Sequence, residues 1–191
     1  MCCHIMRCLC VFAFGIFAAV PAIAEETGPS ALTFSPWAKF CLSGTCFVGR
    51  DGRLNPDCAP VAVAVVLIER KGEAKKKLRV TLPTGVRVDR GVRIIIDQGE
   101  PIERPYAGCF VNGCIADYDD GMELIDRLKQ GRTLVLEAID KTDSPIRLSV
   151  PLADFADAYD GEPQEPKVFE ETATKLQAEL HQREVRCETG K

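Results

Sequence analysis

The sequence predicts an all-β fold: an antiparallel β-sandwich or barrel-like domain with one or two short helices and a C-terminal helical tail. Three observations lead there. From Trp37 to about Val150, short apolar runs are separated by turn signals at strand-like spacing. Several of these runs alternate apolar and polar residues, as a half-buried strand does. No βαβ alternation is present, which sets a doubly wound parallel sheet aside. The chain has 191 residues, enough for one compact domain and a short extra segment.

Residues 1–24 read as a secretory signal. Arg7 supplies the positive start, Leu9 to Val20 the apolar stretch, and Ala22-Ile23-Ala24 a small-x-small cleavage site. The apolar stretch is twelve residues long. A bilayer span needs about 20, so no stable transmembrane segment is expected after cleavage. Residues 25–36 form a polar, proline-containing lead-in that reads as flexible. The β domain is expected over 37–161. Phe47-Val48 follows a glycine-containing turn, and Asp51-Gly52 reads as the next turn. Val61 to Ile68 (VAVAVVLI) is apolar throughout and reads as a central strand buried on both faces.

Leu78, Val80 and Leu82 point inward in the next strand, with Arg79 and Thr81 outward. Val86 and Val88 alternate about Arg87 in the same way. Val92 to Ile96 is another strand, ended by Asp97-Gln98-Gly99. Ile115 to Tyr118, Thr133 to Ile139 and Ile146 to Val150 complete about eight or nine strands. Asp120 can cap a helix whose apolar stripe is Leu124, Ile125 and Leu128, ended by Lys129 and Gly131. A second helical turn is expected at Leu152 to Tyr159. Residues 162–191 form a charged helical tail, where Phe169, Ala173, Leu176 and Leu180 make a narrow seam. Such a helix is marginal alone in water, which makes it a candidate for docking or self-association.

Composition removes several activities. The chain has two histidines, and they are His4 in the leader and His181 in the tail, so the expected domain holds none. A Ser-His-Asp triad, a Cys-His pair and a histidine general base are set aside. Cleavage after Ala24 removes Arg7 and no acid, which leaves 23 basic residues against 28 acidic and a net charge of −5. An anionic chain without a basic stripe is a poor nucleic-acid binder. Lys75-Lys76-Lys77 reads as a solvated hairpin turn. Trp37 and Phe40 read as core packing. Asp117, Asp119, Asp120 and Glu123 surround Gly121, but the spacing is one residue short of a calcium loop, and carboxylates before a helix complement its dipole. No metal site, cofactor motif or catalytic residue stands out.

Of the ten cysteines, Cys2, Cys3, Cys8 and Cys10 leave with the leader and six remain. In an exported protein these read first as disulfide candidates. Cys41-Leu-Ser-Gly-Thr-Cys46 and Cys109-Phe-Val-Asn-Gly-Cys114 have the same form. If the four intervening residues make a hairpin loop, each pair is directly opposed, with Cα atoms about 4.5 Å apart. Local bridges 41–46 and 109–114 are then economical, each stabilising by roughly 2 kcal/mol. Crossed pairs, a four-thiolate zinc site and a redox-active dithiol are the alternatives. Cys58 and Cys187 are unassigned thiols: a pair, a free thiol or an intermolecular link.

The order of motifs resembles a known family. Trp37…Cys41, Cys46-Phe-Val-Gly-Arg-Asp-Gly-Arg53, Leu78-Arg-Val-Thr-Leu-Pro-Thr-Gly85 and Cys109-x4-Cys114-Ile-Ala-Asp117 are similar to the invasion-associated locus B family. So are Leu124-Ile-Asp-Arg-Leu-Lys-Gln-Gly131 and Pro151-Leu-Ala-Asp-Phe-Ala-Asp-Ala-Tyr-Asp-Gly161. The resemblance covers roughly residues 37–170 and includes Cys41, Cys46, Cys109 and Cys114 but not Cys58 or Cys187. It implies an exported, β-rich, periplasmic or envelope-associated protein with no established enzymatic activity.

The resulting expectation is a non-enzymatic binding or structural protein without a cofactor. Its partner would be an envelope protein or a host-surface component, with a link to host interaction and virulence. The alternative is a periplasmic redox factor or other envelope enzyme using the C-x4-C thiols.

Overall fold

Eleven strands and two helices are found in the computed structural model, which describes residues 32–54, 61–119 and 121–165. The strands are β1 (Leu32–Phe34), β2 (Ala38–Leu42), β3 (Thr45–Leu54), β4 (Val61–Arg70), β5 (Lys77–Leu82), β6 (Val92–Ile96), β7 (Ile102–Arg104), β8 (Gly108–Phe110), β9 (Gly113–Tyr118), β10 (Thr133–Ile139) and β11 (Pro145–Pro151). The helices are α1 (Met122–Gln130) and α2 (Phe155–Asp160). A seven-stranded antiparallel sheet runs β1-β3-β4-β5-β9-β8, with β2 also paired to β3, and a four-stranded sheet runs β11-β10-β6-β7. The leader, Cys58, Asp120 and the tail from residue 166 lie outside the described residues.

The two sheets face each other as a sandwich. Val48, Val63, Val65, Leu67, Leu78, Val80, Leu82, Ala116 and Tyr118 line the inner face of the large sheet. Val92, Ile94, Ile96, Leu134, Leu136, Leu148 and Val150 line the inner face of the small one. Tyr118 ties the layers directly, its hydroxyl donating to the Val92 carbonyl at 2.8 Å. Leu124, Ile125 and Leu128 of α1 and Phe155 of α2 join the same core. The alternation expected for Leu78 to Leu82 is the observed burial pattern, because β5 buries only one face.

Several expectations are corrected. The segment read as a lead-in contains β1, which pairs with β3 through Leu32–Leu54, Thr33–Arg53 and Phe34–Gly52. Asp51-Gly52 is not a turn, because β3 runs straight through it, with a register shift between Gly52 and Arg53. A Cβ on Gly52 would lie 2.5 Å from a Phe34 ring carbon, so the missing side chain makes room for β1. β4 is central but buried on one face only, since Ala64, Val66 and Ile68 are half-buried beside fully buried Val63, Val65 and Leu67. Val86–Val88 is not a strand: Val86 makes a single bridge to Asp140, and Val88–Arg90 is a short 3-10 turn. α2 begins at Phe155 rather than Leu152, because Asp154 before it takes a left-handed conformation with φ 66°. The described N-terminus of α1 is Gly121, with no side-chain capping bond.

Candidate functional site

The cysteine pairs occupy two hairpins of the large sheet. Cys41 is the penultimate residue of β2 and Cys46 the second of β3, directly opposed one pair in from the two-residue turn Ser43-Gly44. Ser43 (φ 49°) and Gly44 (φ 78°) both take positive φ, as a tight hairpin with matching twist requires. The Cys41 and Cys46 sulfurs are 1.99 Å apart and their Cα atoms 4.0 Å apart, which is disulfide distance. Cys109 and Cys114 are opposed across β8 and β9 in the same way, with sulfurs 2.00 Å and Cα atoms 3.9 Å apart. Gly113, which opens β9 after the turn, has φ 139°, and a Cβ there would meet the Leu82 carbonyl oxygen at 2.6 Å. Cys114 is buried in the core at 1 % exposure, whereas the facing Cys109 is exposed.

Around these hairpins are contacts that the sequence pattern does not announce. Arg50 points from β3 to the inner side. Its guanidinium donates to the Ser35 carbonyl at 2.7 Å and the Pro151 carbonyl at 2.7 Å, and lies over the Phe34 and Trp37 rings. It therefore clamps the lead-in to the end of β11. Trp37 is buried edge-on against Phe155, centroids 4.9 Å apart, in the core as expected. Phe40 is not in that core; it projects from the opposite face and stacks on Phe47 at 4.9 Å.

Tyr159 of α2 is a second hub. Its hydroxyl donates to Glu69 Oε1 at 2.7 Å and accepts from Lys76, which also pairs with Glu69. Lys39 Nζ donates to the Tyr159 carbonyl at 2.8 Å and the Gly161 carbonyl at 2.9 Å. Lys76 and Lys129 lie 5.0 and 5.2 Å from the Tyr159 ring centroid. Burial raises the Glu69 carboxyl, but the Lys76 and Tyr159 hydrogen bonds outweigh it and hold the group below its usual range. Lys76 is thus fixed in a network, and Lys77 pairs with Asp117 at 3.1 Å, so only Lys75 of the basic run is the solvated turn residue expected.

Within the acidic cluster, Asp117 is ion-paired to Arg79 and Lys77. Arg79 makes a bidentate pair with Asp117, both bonds 2.8 Å, and those hydrogen bonds hold the Asp117 carboxyl below its usual range against the opposing effect of burial. Among the described residues no His/Cys/Asp/Glu group is arranged to hold a metal ion. No described helix is long and apolar enough to cross a membrane.

The solvent face of the small sheet carries a cross-strand charge ladder. Arg147, Glu137, Arg93 and Glu103 stand side by side across β11, β10, β6 and β7. Glu137 pairs with both Arg93 and Arg147, the arrangement that stabilises neighbouring strands. The ladder floors an open groove of about 450 Å³, which Arg90 and Ile146 also line. The alternating charges offer a polar partner matched donors and acceptors. Nothing in the ladder supplies a nucleophile paired with a base.

The family model for the invasion associated locus B (IalB) protein matches residues 37–163. The chain belongs to that family. The match runs from the buried Trp37 through β2 to β11 and on to the segment after α2, and leaves out β1. Among solved structures, the crystal structure of invasion associated protein B from Bartonella henselae is similar, with a TM-score of 0.56 and 24 % sequence identity. That likeness covers 66 % of this chain and 93 % of that one and shows the shared fold. No curated protein matches the chain. The motifs that resemble the IalB family have structural work in this chain. Arg50 and Gly52 hold the lead-in through Ser35 and Phe34, Val48, Leu78, Val80 and Leu82 fill the core, and a Cβ on Gly131 would lie 2.6 Å from Ile96.

Proposed function

We propose that this IalB-family chain is exported and acts in the periplasm or cell envelope as a non-enzymatic, disulfide-stapled scaffold that binds another component. The carrying observation is the placement of Cys41–Cys46 and Cys109–Cys114 at disulfide distance on opposed hairpin residues. Opposed thiols at that distance form disulfides that persist in an oxidising compartment such as the periplasm. The leader over residues 1–24 supplies the route out. The charge ladder on the small sheet is the polar surface best suited to a protein partner, because its ion pairs can be exchanged for intermolecular ones. A host-surface component is the narrower form of this reading, supported by the family's association with invasion.

Three measurements test it together. Cell fractionation should place the mature chain, starting at Glu25, in the periplasmic or envelope fraction. Titration of thiols in protein purified without reductant should find Cys41, Cys46, Cys109 and Cys114 unreactive. Near-full reactivity at either C-x4-C pair would favour a redox factor instead. A native envelope pull-down should recover a partner that Arg93→Glu with Arg147→Glu no longer retains. Undiminished recovery would remove the ladder from the interface.

A further inference from the structure

The outer face of the large sheet, turned away from the small sheet and both helices, carries an apolar patch three strands wide. Phe40 pairs with Phe47 across β2 and β3, and Phe47 pairs with Ile68 on β4. In the next row Ala38 faces Gly49, which faces Val66. Phe40, Phe47, Val66 and Ile68 are half-buried, whereas Val48, Val65 and Leu67 on the inner side are at most 1 % exposed. Leu42, at the end of β2, is 65 % exposed. The patch is bounded by charge: Asp51 with Arg53 towards β1, and Lys77 and Arg79 with Asp117 beyond β4.

A second observation concerns the path of the chain after α2. It returns to the edge of this sheet, where Gln164 N donates to the Lys39 carbonyl at 2.8 Å and Gln164 bridges Phe40 in parallel. The described residues therefore end at Glu165, beside the patch. Pro166 follows and has no N–H with which to continue the pairing. Beyond it the sequence continues for 25 residues, with Phe169, Ala173, Leu176 and Leu180 at helical spacing.

We propose that the segment after Pro166 folds back as an amphipathic helix onto this outer face, its Phe169–Ala173–Leu176–Leu180 seam against Phe40, Phe47, Val66 and Ile68. Phe169 lies five residues past Gln164, a reach of at most about 17 Å. That suffices to turn from the edge strand onto the face. The short tether keeps the seam at high effective concentration, which favours this chain's own tail over a second copy. Widths agree as well: three strands about 4.8 Å apart make a strip close to the ~10–12 Å diameter of one helix. Gly49, without a side chain between the Phe40–Phe47 row and Val66, leaves the strip low at its middle. The helix gains from the strip the apolar contact it lacks alone in water.

Covalent carbene footprinting of the oxidised mature chain, compared with a chain truncated after Glu165, tests this. Labelling at Phe40, Phe47 and Ile68 should rise severalfold on truncation, while Phe110 and Val111 at the far hairpin stay unchanged. A Leu176→Asp, Leu180→Asp double variant, which leaves the whole sandwich intact, should raise labelling at the same positions. Equal labelling in all three proteins would overturn the proposal. So would a full chain that sediments as a dimer and becomes a monomer on truncation, because the tail would then occupy another copy.

Discussion

Tyr118→Phe and Tyr106→Phe delete the same atom from two buried rings and should move stability in opposite directions. Tyr118 is fully buried, at 0 % exposure, and its hydroxyl donates across the sandwich to the Val92 carbonyl at 2.8 Å. Removing that donor loses a buried hydrogen bond and strips the carbonyl of one partner, a cost of about 1–2 kcal/mol. Tyr106 is 9 % exposed, and its hydroxyl has no hydrogen-bond partner among the described residues. Deleting an unsatisfied buried hydroxyl removes its desolvation penalty, so Tyr106→Phe should be neutral or stabilising by up to ~1 kcal/mol. Urea unfolding at neutral pH, without reductant and with equal m-values, measures both. The two variants should therefore differ by about 2 kcal/mol. Burial also raises both phenols, Tyr106 to about 12. Ionisation then favours the unfolded chain, and stability falls as pH rises above the unfolded tyrosine value of about 10. Each Phe variant should flatten that alkaline loss. Equal destabilisation by the two substitutions would refute the reasoning, because it would mean that the Tyr106 hydroxyl is bonded.

Asp117→Asn should flatten the acid limb of the stability curve. The wild-type carboxyl is held below its usual range by Arg79, so its contribution is complete above about pH 4 and lost as pH falls through the lowered folded value. Urea midpoints at a series of pH values between neutral and strongly acidic check this, and parallel curves would contradict it. Gly113→Ala should destabilise by more than about 1 kcal/mol, since Ala resists φ 139° and its Cβ would strike the Leu82 carbonyl. Gly85→Ala, with nothing within 4 Å of its Cβ, should leave the thermal midpoint nearly unchanged. If the tail docks on the outer face as proposed, non-reducing peptide mapping should find Cys58 joined to Cys187 within one chain, formed by exchange with a protein disulfide that is released as two thiols. A Cys187 link between chains would place the tail on another copy.

The parts of the fold read from sequence are those whose signal is local. Leu78, Val80 and Leu82 show their burial by alternation, α1 shows its stripe at Leu124, Ile125 and Leu128, and the paired C-x4-C segments announce hairpins by spacing. The missed parts depend on partners far along the chain. β1 is a strand because β3 is beside it, and its three residues carry no period of their own. The VAVAVVLI run looks buried on both sides because the outer face of β4 is itself apolar, and composition cannot separate a core from a surface patch. Lys76 looks like one of three solvated lysines until Tyr159, 83 residues later, and Glu69 close around it. Arg50 looks like a surface charge in a Gly-Arg-Asp-Gly run, yet its guanidinium reaches Pro151, 101 residues away. Phe40 reads with Trp37 by proximity in sequence, but Trp37 precedes β2 and packs on Phe155, whereas Phe40 stacks on Phe47 on the outer face.

The central claim is a stapled scaffold formed on export, and the disulfide map of the exported protein tests it most directly. Protein taken from the periplasmic or envelope fraction, alkylated at once and digested without reductant, should give a peptide joining Cys41 to Cys46 and another joining Cys109 to Cys114. Its N-terminal peptide should begin at Glu25. Recovery of those four cysteines as alkylated thiols, or as links crossing between the two hairpins, would contradict the account.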